Sequence, residues 1–479
     1  MQPTDFIAIA PLVILAATAA GVMLIIACCR HHGATAALTF GGLTAAFAAL
    51  PAAAPLTPLP VTPLLIVDPY AICFIGLILA ATMITVLLSY GYLRQQTGHR
   101  EEFYLLLLVA ALGSAVLVTS RHFAAFFLGL EILSVSLYAL VAYTRFRSIS
   151  IEAGIKYLVL AAVSSAFMLY GMALIYADLG VLGFVGIAAQ IQASQSGGQS
   201  VILVAGLGLV IVAMGFKLAV VPFHMWIPDI YQGSPAPVTG FVASVSKGAM
   251  VALLVRLFSP IDLNQFHGLF TIFAALALAS MVAGNILALM QTNIKRLLAY
   301  SSIAHMGYLL VAFLAGGRFA VSAVTFYLVV YSISILGCFG VITVLSGKDR
   351  DAETMDDFQG LFFTHPWLTA VFTVMLLSLA GIPMTAGFVG KFYIVSAGVG
   401  GGLWLLVISL VLTSGMGLFY YLRVLIAMYT LPSGKTLLDE SPHQMAASGS
   451  LALSVLVVLL FWVGILPTFF IELIRGMIG

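Results

Sequence analysis

Charge is what this chain has least of. Asp, Glu, Lys and Arg together make up 8% of its 479 residues while hydrophobic residues make up 62%; a soluble domain carries about 25% charged residues. That excludes a soluble globular protein, and a net charge of +2 gives no footing for a nucleic-acid partner. Cysteine is nearly as scarce. Cys28, Cys29, Cys73 and Cys338 all lie in apolar segments and none stands in a C-x-x-C pair, which argues against a disulfide framework or a cysteine metal centre. The sequence also lacks a haem-type histidine arrangement, an iron–sulfur spacing and a strand-linked G-x-G-x-x-G, the usual marks of redox cofactors. If electrons drive this protein, they flow through another chain. Long polar runs are missing too. The longest are 346–359 and 431–450, with a flexible linker, QIQASQSGGQS, at 190–200, so no soluble domain is expected.

What is present is a series of apolar stretches of membrane-crossing length, about 20 residues each. They predict an all-α polytopic membrane protein with helices near 6–29, 34–54, 70–92, 103–120, 122–143, 151–177, 201–230, 237–258, 267–290, 297–315, 319–345, 366–400, 403–430 and 450–475. The first follows Asp5 with no basic residue before it and is too long for a signal-peptide core. Fourteen crossings put both termini on one side. Lys and Arg outside the membrane core fix which. With the termini outside, the inner face holds Arg30, Arg94, Arg100, Arg145, Arg147, Lys295, Arg296, Lys348, Arg350, Arg423 and Lys435. The outer face holds Arg121, Arg256, Arg318 and Arg475. The expectation is a multi-pass protein of the cell inner (plasma) membrane with both termini facing outward.

Two spans carry helix-breaking sequence at depth: Lys217-Leu-Ala-Val-Val-Pro222-Phe-His224-Met-Trp-Ile-Pro228 in the seventh and Gly381-Ile-Pro383-Met-Thr385-Ala-Gly387-Phe-Val-Gly390-Lys391 in the twelfth. Proline removes a backbone donor, so each helix should be discontinuous, and freed backbone at that depth survives only inside protein or beside water. Pro222 and Pro383 are 161 residues apart, each in the fourth helix of a five-helix block. Five is odd, so the blocks enter the membrane from opposite sides: an inverted repeat with its working site at mid-membrane. The expected division is 1–100 for helices 1–3, 101–260 for helices 4–8, 261–430 for helices 9–13 and 431–479 for an inner loop and helix 14.

Within these spans sit Lys156, Lys217, Lys247, Lys391 and one deep acid, Glu131. An ionisable group in hydrocarbon usually faces the bundle interior or a wet path. A desolvated lysine can give up its proton, whereas arginine stays charged. Glu131 reads as an ion-pair partner of Lys217 or as a structural salt bridge. Lys217 and Lys247, the latter between Ser244, Ser246 and Gly248, read as proton carriers. Lys391, beyond the second break, is placed to release a proton. Lys156 lies only some five residues into its helix, where it faces the interior or snorkels to the inner surface. Lys295, beside Arg296, reads as part of the inward positive bias. His224 and His305 are relay candidates or core histidines. His305 shares a face with Ser301 and Ser302, and Tyr327, Tyr331 and Ser334 form a polar stripe.

These motifs, namely Glu131, Gly215-Phe-Lys217, Val-Pro222-Phe-His224-Met-Trp-Ile-Pro-Asp229, Ser246-Lys247-Gly, Ser302-Ile-Ala-His305-Met-Gly-Tyr308 and Ser378-Leu-Ala-Gly-Ile-Pro383 through Lys391-Phe-Tyr, resemble the antiporter-like membrane subunits of respiratory complex I, whose relatives include Mrp-type sodium/proton antiporters. The likeness spans essentially the whole chain. Lysine rather than glutamate at 391, and an end four residues after Arg475 with no long lateral helix, resemble the subunit-N branch. The resemblance implies redox-driven proton translocation through Glu131, Lys217, Lys247, His305 and Lys391, with Lys156 on the uptake side. It implies no cofactor in this chain. NAD, FMN, iron–sulfur clusters and quinone would belong to partner subunits, and neighbouring antiporter-like subunits and lipids would be its contacts. The rival readings are a cation/proton antiporter subunit, which would want a further cluster of buried acids, and a non-pumping scaffold or quinone-contact subunit.

Overall fold

The structure is a computed structural model, and it describes residues 2–96, 98–193, 200–261, 266–348, 350–431 and 446–478. The core of the 190–200 linker and of the 431–450 loop, with Lys435, lies outside the described residues. All regular structure among them is helical, joined by four isolated β-bridges. The spans are α1 (Ala10–Cys28), α2 (His32–Ala48), α3 (Pro69–Gln95), α4 (Glu101–Thr119), α5 (Phe123–Val141), α6 (Ser148–Leu179), the halves α7a (Val201–Leu218) and α7b (Trp226–Gly233), and α8 (Ala236–Phe258). They continue with α9 (His267–Leu289), α10 (Ile294–Ala315), α11 (Gly317–Leu345), the halves α12a (Pro366–Ala380) and α12b (Ala386–Gly400), α13 (Trp404–Tyr429) and α14 (Ala447–Ile465). Thirteen helices among the described residues are long and apolar enough to cross a membrane; the fourteenth crossing is assembled from α12a and α12b. The last span departs from expectation. It is not one helix over 450–475 but α14 followed by a separate helix, Pro467–Ile478, because Pro467 has no N–H to continue the ladder. A short helix, Phe184–Ala193, runs into the first residues of the 190–200 segment read from sequence as a flexible linker.

The two blocks repeat in their packing. A Cβ on Gly113 of α4 would meet the Leu133 nitrogen at 2.5 Å and the Gly129 carbonyl at 2.9 Å. A Cβ on Gly284 of α9 would meet the Ala304 nitrogen at 2.7 Å and the Tyr300 carbonyl at 3.0 Å. All three positions shift by 171 residues between the pairs, so α4–α5 and α9–α10 cross in the same register. Backbone contact this close needs glycine. The register also aligns Glu131 with Ser302 and Ser134 with His305.

Both expected breaks are present, and their loose backbone ends find partners inside the protein, as a membrane interior demands. α7a ends at Ala219, held at φ +58°. There the Val221 N–H donates to Ser280 Oγ at 2.9 Å, and Trp226 Nε1 donates to the Phe216 carbonyl at 2.9 Å. Pro228 sits in the first turn of α7b, where its missing N–H costs nothing. α12a ends at Gly381, φ +79°, and Thr385 caps α12b. The halves are pressed together: a Cβ on Gly387 would lie 1.7 Å from the Ser378 carbonyl oxygen.

The centre of the bundle is α8 and α10, buried throughout their apolar windows, with α11 beside them; α1, α2 and α14 are largely exposed. The helices that carry Lys247, His305 and Tyr327 are therefore the ones farthest from lipid.

Candidate functional site

Lys217, Lys247, Lys391 and His305 are all buried, at 6%, 1%, 8% and 3% exposure. Burying an ammonium costs heavily unless polar atoms meet it, and each lysine has a hydroxyl at bonding distance. Lys217 Nζ donates to Ser134 Oγ at 2.7 Å, Lys247 Nζ to Ser302 Oγ at 2.6 Å, and Lys391 Nζ to Ser414 Oγ and to the Ala380 carbonyl, both at 2.8 Å. An aromatic face lies against each: Tyr157 at 5.4 Å from Lys217, Tyr231 at 5.8 Å from Lys247 and Tyr308 at 5.4 Å from Lys391.

Glu131 and Lys217 do not form the direct ion pair expected. Glu131 accepts from Ser165 at 2.5 Å, and Lys217 reaches Ser134, one helical turn along α5 from Glu131. The two charges stay within electrostatic reach of each other. The spacing of three residues on α5 puts both acceptors on one face, so α5 offers a carboxylate and a hydroxyl to the same lysine-bearing helix.

From Lys247 polar groups continue toward Lys391, some joined by hydrogen bonds and others only by ring contacts, as between His305 and Tyr331 at 5.4 Å. Ser302 pairs with the Tyr331 hydroxyl at 2.6 Å; His305 Nδ1 pairs with the Tyr327 hydroxyl at 2.5 Å and Nε2 with the Tyr421 hydroxyl at 3.2 Å; Tyr421 also bonds Ser301. Tyr420, its ring 4.4 Å from that of Tyr421, donates to Asn285, and Asn285 donates to Tyr308 beneath Lys391. The stripe of Tyr327, Tyr331 and Ser334 faces this path, with Ser334 on Ser378 at the second break. Asn285, Tyr420, Tyr421 and Ser414 were not singled out from sequence; a buried asparagine and a Tyr-Tyr pair in apolar helices were the available signals. Immediately before Lys247, residues Val242–Ser246 form a single π-helical turn, a device common at functional sites.

The comparisons with known proteins agree along the full length. Residues 120–417 match the family described as NADH:quinone oxidoreductase/Mrp antiporter, TM, a stretch that holds Glu131, Lys217, Lys247, His305 and Lys391. The chain is 45% identical over 477 residues to the NADH-quinone oxidoreductase subunit N of Ectopseudomonas mendocina, covering 98% of this chain and 96% of that one. The chain belongs to the NADH-quinone oxidoreductase subunit N family. Among solved structures it is similar to a chain of respiratory complex I from Thermus thermophilus, with TM-score 0.82, 33% identity and 96% and 98% of the two chains covered. A chain of the Mrp complex from Dietzia sp. shares the fold at TM-score 0.86 with 17% identity, over 100% and 97% of the chains. It is thus an integral, multi-pass membrane protein.

Three groups named from sequence stand apart from this path. Lys156 is 43% exposed and paired with Glu152 at 2.7 Å and Asp229 at 2.8 Å; Asp229 also holds Arg296 at 2.8 Å. It lies at the rim of the bundle, away from the buried lysines. His224 lies in the break between α7a and α7b, and no side chain hydrogen-bonds its ring nitrogens among the described residues; it does not join the path from Lys247 to Lys391. Lys295, read from sequence as part of the inward positive bias, is 1% exposed. It donates to the Gln232 and Ser234 carbonyls at the end of α7b and to Asp351 at 3.0 Å. A cation there meets the negative end of a helix dipole.

Asp351 was missed altogether. It accepts from Lys295, from Arg147 at 2.9 Å, from the Tyr92 hydroxyl at 2.9 Å and from the Ala236 N–H at 3.0 Å. One carboxylate therefore ties α3, the α5–α6 loop, the start of α8 and the start of α10. Burial pushes its carboxyl up, but the Lys295 ammonium and Arg147 guanidinium beside it prevail and hold it below the usual carboxylate value.

Proposed function

We propose that this chain is the proton-translocating subunit N of an NADH-quinone oxidoreductase, a translocase subunit that couples electron transfer in other subunits to proton movement through its own buried axis. The observation that carries this reading is the succession of polar groups from Lys247 through Ser302, Tyr331, His305, Tyr327, Tyr421, Tyr420, Asn285 and Tyr308 to Lys391, joined by hydrogen bonds and by ring contacts at Tyr331–His305, Tyr421–Tyr420 and Tyr308–Lys391, inside helices buried from lipid. Lysines able to exist charged or neutral, linked by hydroxyls and an imidazole that both donate and accept, form a proton relay.

In this reading Glu131 and Ser134 hold the proton on Lys217. Transfer from Lys217 to Lys247 is the controlled step, because no protein hydrogen bond joins them among the described residues, so water or movement of the discontinuous α7 must complete it. The proton then passes Ser302 and His305 to Lys391 at the second break. Lys156, with Asp229 and Arg296, attracts charge at the uptake rim rather than carrying protons in the core. The face holding Arg94, Arg145, Arg147 and Lys295 is the inner one, which places both termini outside. The two five-helix blocks are 101–260 and 261–430. NAD, FMN, iron–sulfur clusters and quinone reside in partner subunits, and the chain sits among other antiporter-like membrane subunits.

The test is Lys217→Ala in membranes holding the assembled complex, with quinone reductase rate and proton gradient recorded together. Both should fall while assembly is unchanged. A normal rate with a normal gradient would make Lys217 structural and favour a scaffold.

A further inference from the structure

The guanidinium groups of Arg100 and Arg145 form no ion pair among the described residues, although the Arg100 backbone N–H donates to the neighbouring Glu101 carboxylate at 3.1 Å. The Arg100 guanidinium rests on the Gln96 carbonyl at 2.9 Å, and Arg145 lies over the Phe146 ring at 5.6 Å. Both line one cavity of about 490 Å³ between the end of α3, the start of α4 and the end of α5. Arg147 and the exposed Lys348 line it too, and Glu102 is its one acid, itself paired with Arg30 at 2.8 Å. Arg147 is committed on its other side to Asp351. The cavity is thus a basic recess.

Its other wall is apolar. Leu93, Leu106, Ala139 and Phe146 line it, and Phe146 is 75% exposed. Apolar faces run from it along two helices: α5 exposes Leu128 and Val135 at 55% and 60%, and α4 leaves Val109 and Val116 partly exposed. A recess of cations at the membrane surface, opening onto apolar stripes that descend into hydrocarbon, matches one kind of occupant: a phosphate-bearing headgroup with acyl chains attached. Guanidinium groups suit phosphate oxygens because they present paired donors. A free anion would use the basic wall and leave the apolar one unexplained.

We propose that this cavity is a binding site for the headgroup of an anionic phospholipid, held by Arg100 and Arg145 with Lys348 at the rim, its chains lying along α4 and α5. The site is separate from the proton path, so its occupancy can be tested whether or not the chain pumps.

The experiment is site-specific photo-crosslinking in the assembled complex, with Phe146→p-benzoylphenylalanine, in native membranes and in nanodiscs of phosphatidylcholine containing phosphatidylglycerol. Mass spectrometry of the digested chain should show phosphatidylglycerol adducts several-fold above its share of the bilayer. That enrichment should vanish in Arg100→Gln/Arg145→Gln and weaken in Lys348→Gln, an exposed position whose change leaves folding intact. Adducts in proportion to bulk lipid, or a cross-link to a neighbouring subunit's polypeptide, would overturn the proposal. So would loss of the enrichment on adding millimolar inorganic phosphate, which would mark a free-anion site.

Discussion

The Lys391 ammonium donates to the Ala380 carbonyl at 2.8 Å, so the lysine beyond the second break closes the half-helix that precedes it. The C-terminal end of a helix carries partial negative charge, and the same atom bonds Ser414 on α13. Proton loss from Lys391 would remove the charge that strengthens this bond to the end of α12a, which couples a protonation state to the break.

Lys391→Arg separates the two roles. Arginine keeps a cation at the Ala380 carbonyl but does not give up its proton. Assembly and thermal midpoint should stay close to those of the parent, while redox-driven proton translocation drops to about a tenth or less, in keeping with the roughly 10²-fold that positioned proton transfer supplies. Gradient formation in membrane vesicles, set beside a thermal melt of the purified complex, reads both.

Gly387→Ala should damage the break itself. The added methyl would fall 1.7 Å from the Ser378 carbonyl oxygen, and backbone there cannot yield cheaply. The expected destabilisation is at least the ~1–3 kcal/mol of an overpacked core, seen as a lower yield of assembled complex. Gly208→Ala is the control, since nothing stands within 4 Å of its added methyl.

Asp351→Asn should cost about 3–5 kcal/mol, because it leaves Lys295 buried without its counter-charge. The carboxyl is held below its usual value of 3.8 in the folded protein. Its contribution is therefore complete above that value and lost only as pH falls through the lower folded value. The gap in thermal midpoint between parent and Asp351→Asn should stay constant from about pH 6 to 9. A gap that closes across this window would mean that the carboxyl is not held ionised.

Tyr327→Phe removes the hydroxyl bonded to His305 Nδ1. An unmet buried polar atom costs about 1–3 kcal/mol, and the imidazole loses one of the two tyrosines that fix its ring. Slower proton translocation with retained assembly is expected, accompanied by a larger solvent isotope effect. Val324→Ala, a buried position on the same helix, is the control for packing alone and should leave the isotope effect unchanged.

The spans, the breaks near Pro222 and Pro383, and the burial of Lys217, Lys247 and Lys391 were legible because each rests on local sequence: apolar length, a missing N–H, a charge where charge is costly. The companions of those lysines were not. Ser134, Ser414 and Asn285 are ordinary polar residues until tertiary packing sets them against a lysine or tyrosine. Lys295 and Lys156 show the same limit. Lys295 read as part of the inward positive bias and is sealed under Asp351, from a loop 56 residues away; Lys156, left open between the interior and snorkelling, pairs with Asp229 at the rim. Charge patterning along a helix says how far a residue is from the span's end and nothing about which face meets a neighbour. The π-turn before Lys247 leaves no signature in composition. The repeat was visible in the breaks, but its 171-residue register between α4–α5 and α9–α10 emerged only where glycine lets backbones touch.

Proton passage through Lys247 is the claim on which the rest depends, and Lys247→Arg tests it most directly. Arginine preserves a charge for Ser302 to meet but holds its proton. Quinone reductase rate and proton gradient, recorded together in membranes with the complex fully assembled, should both collapse. An unaltered rate with an unaltered gradient would contradict the account.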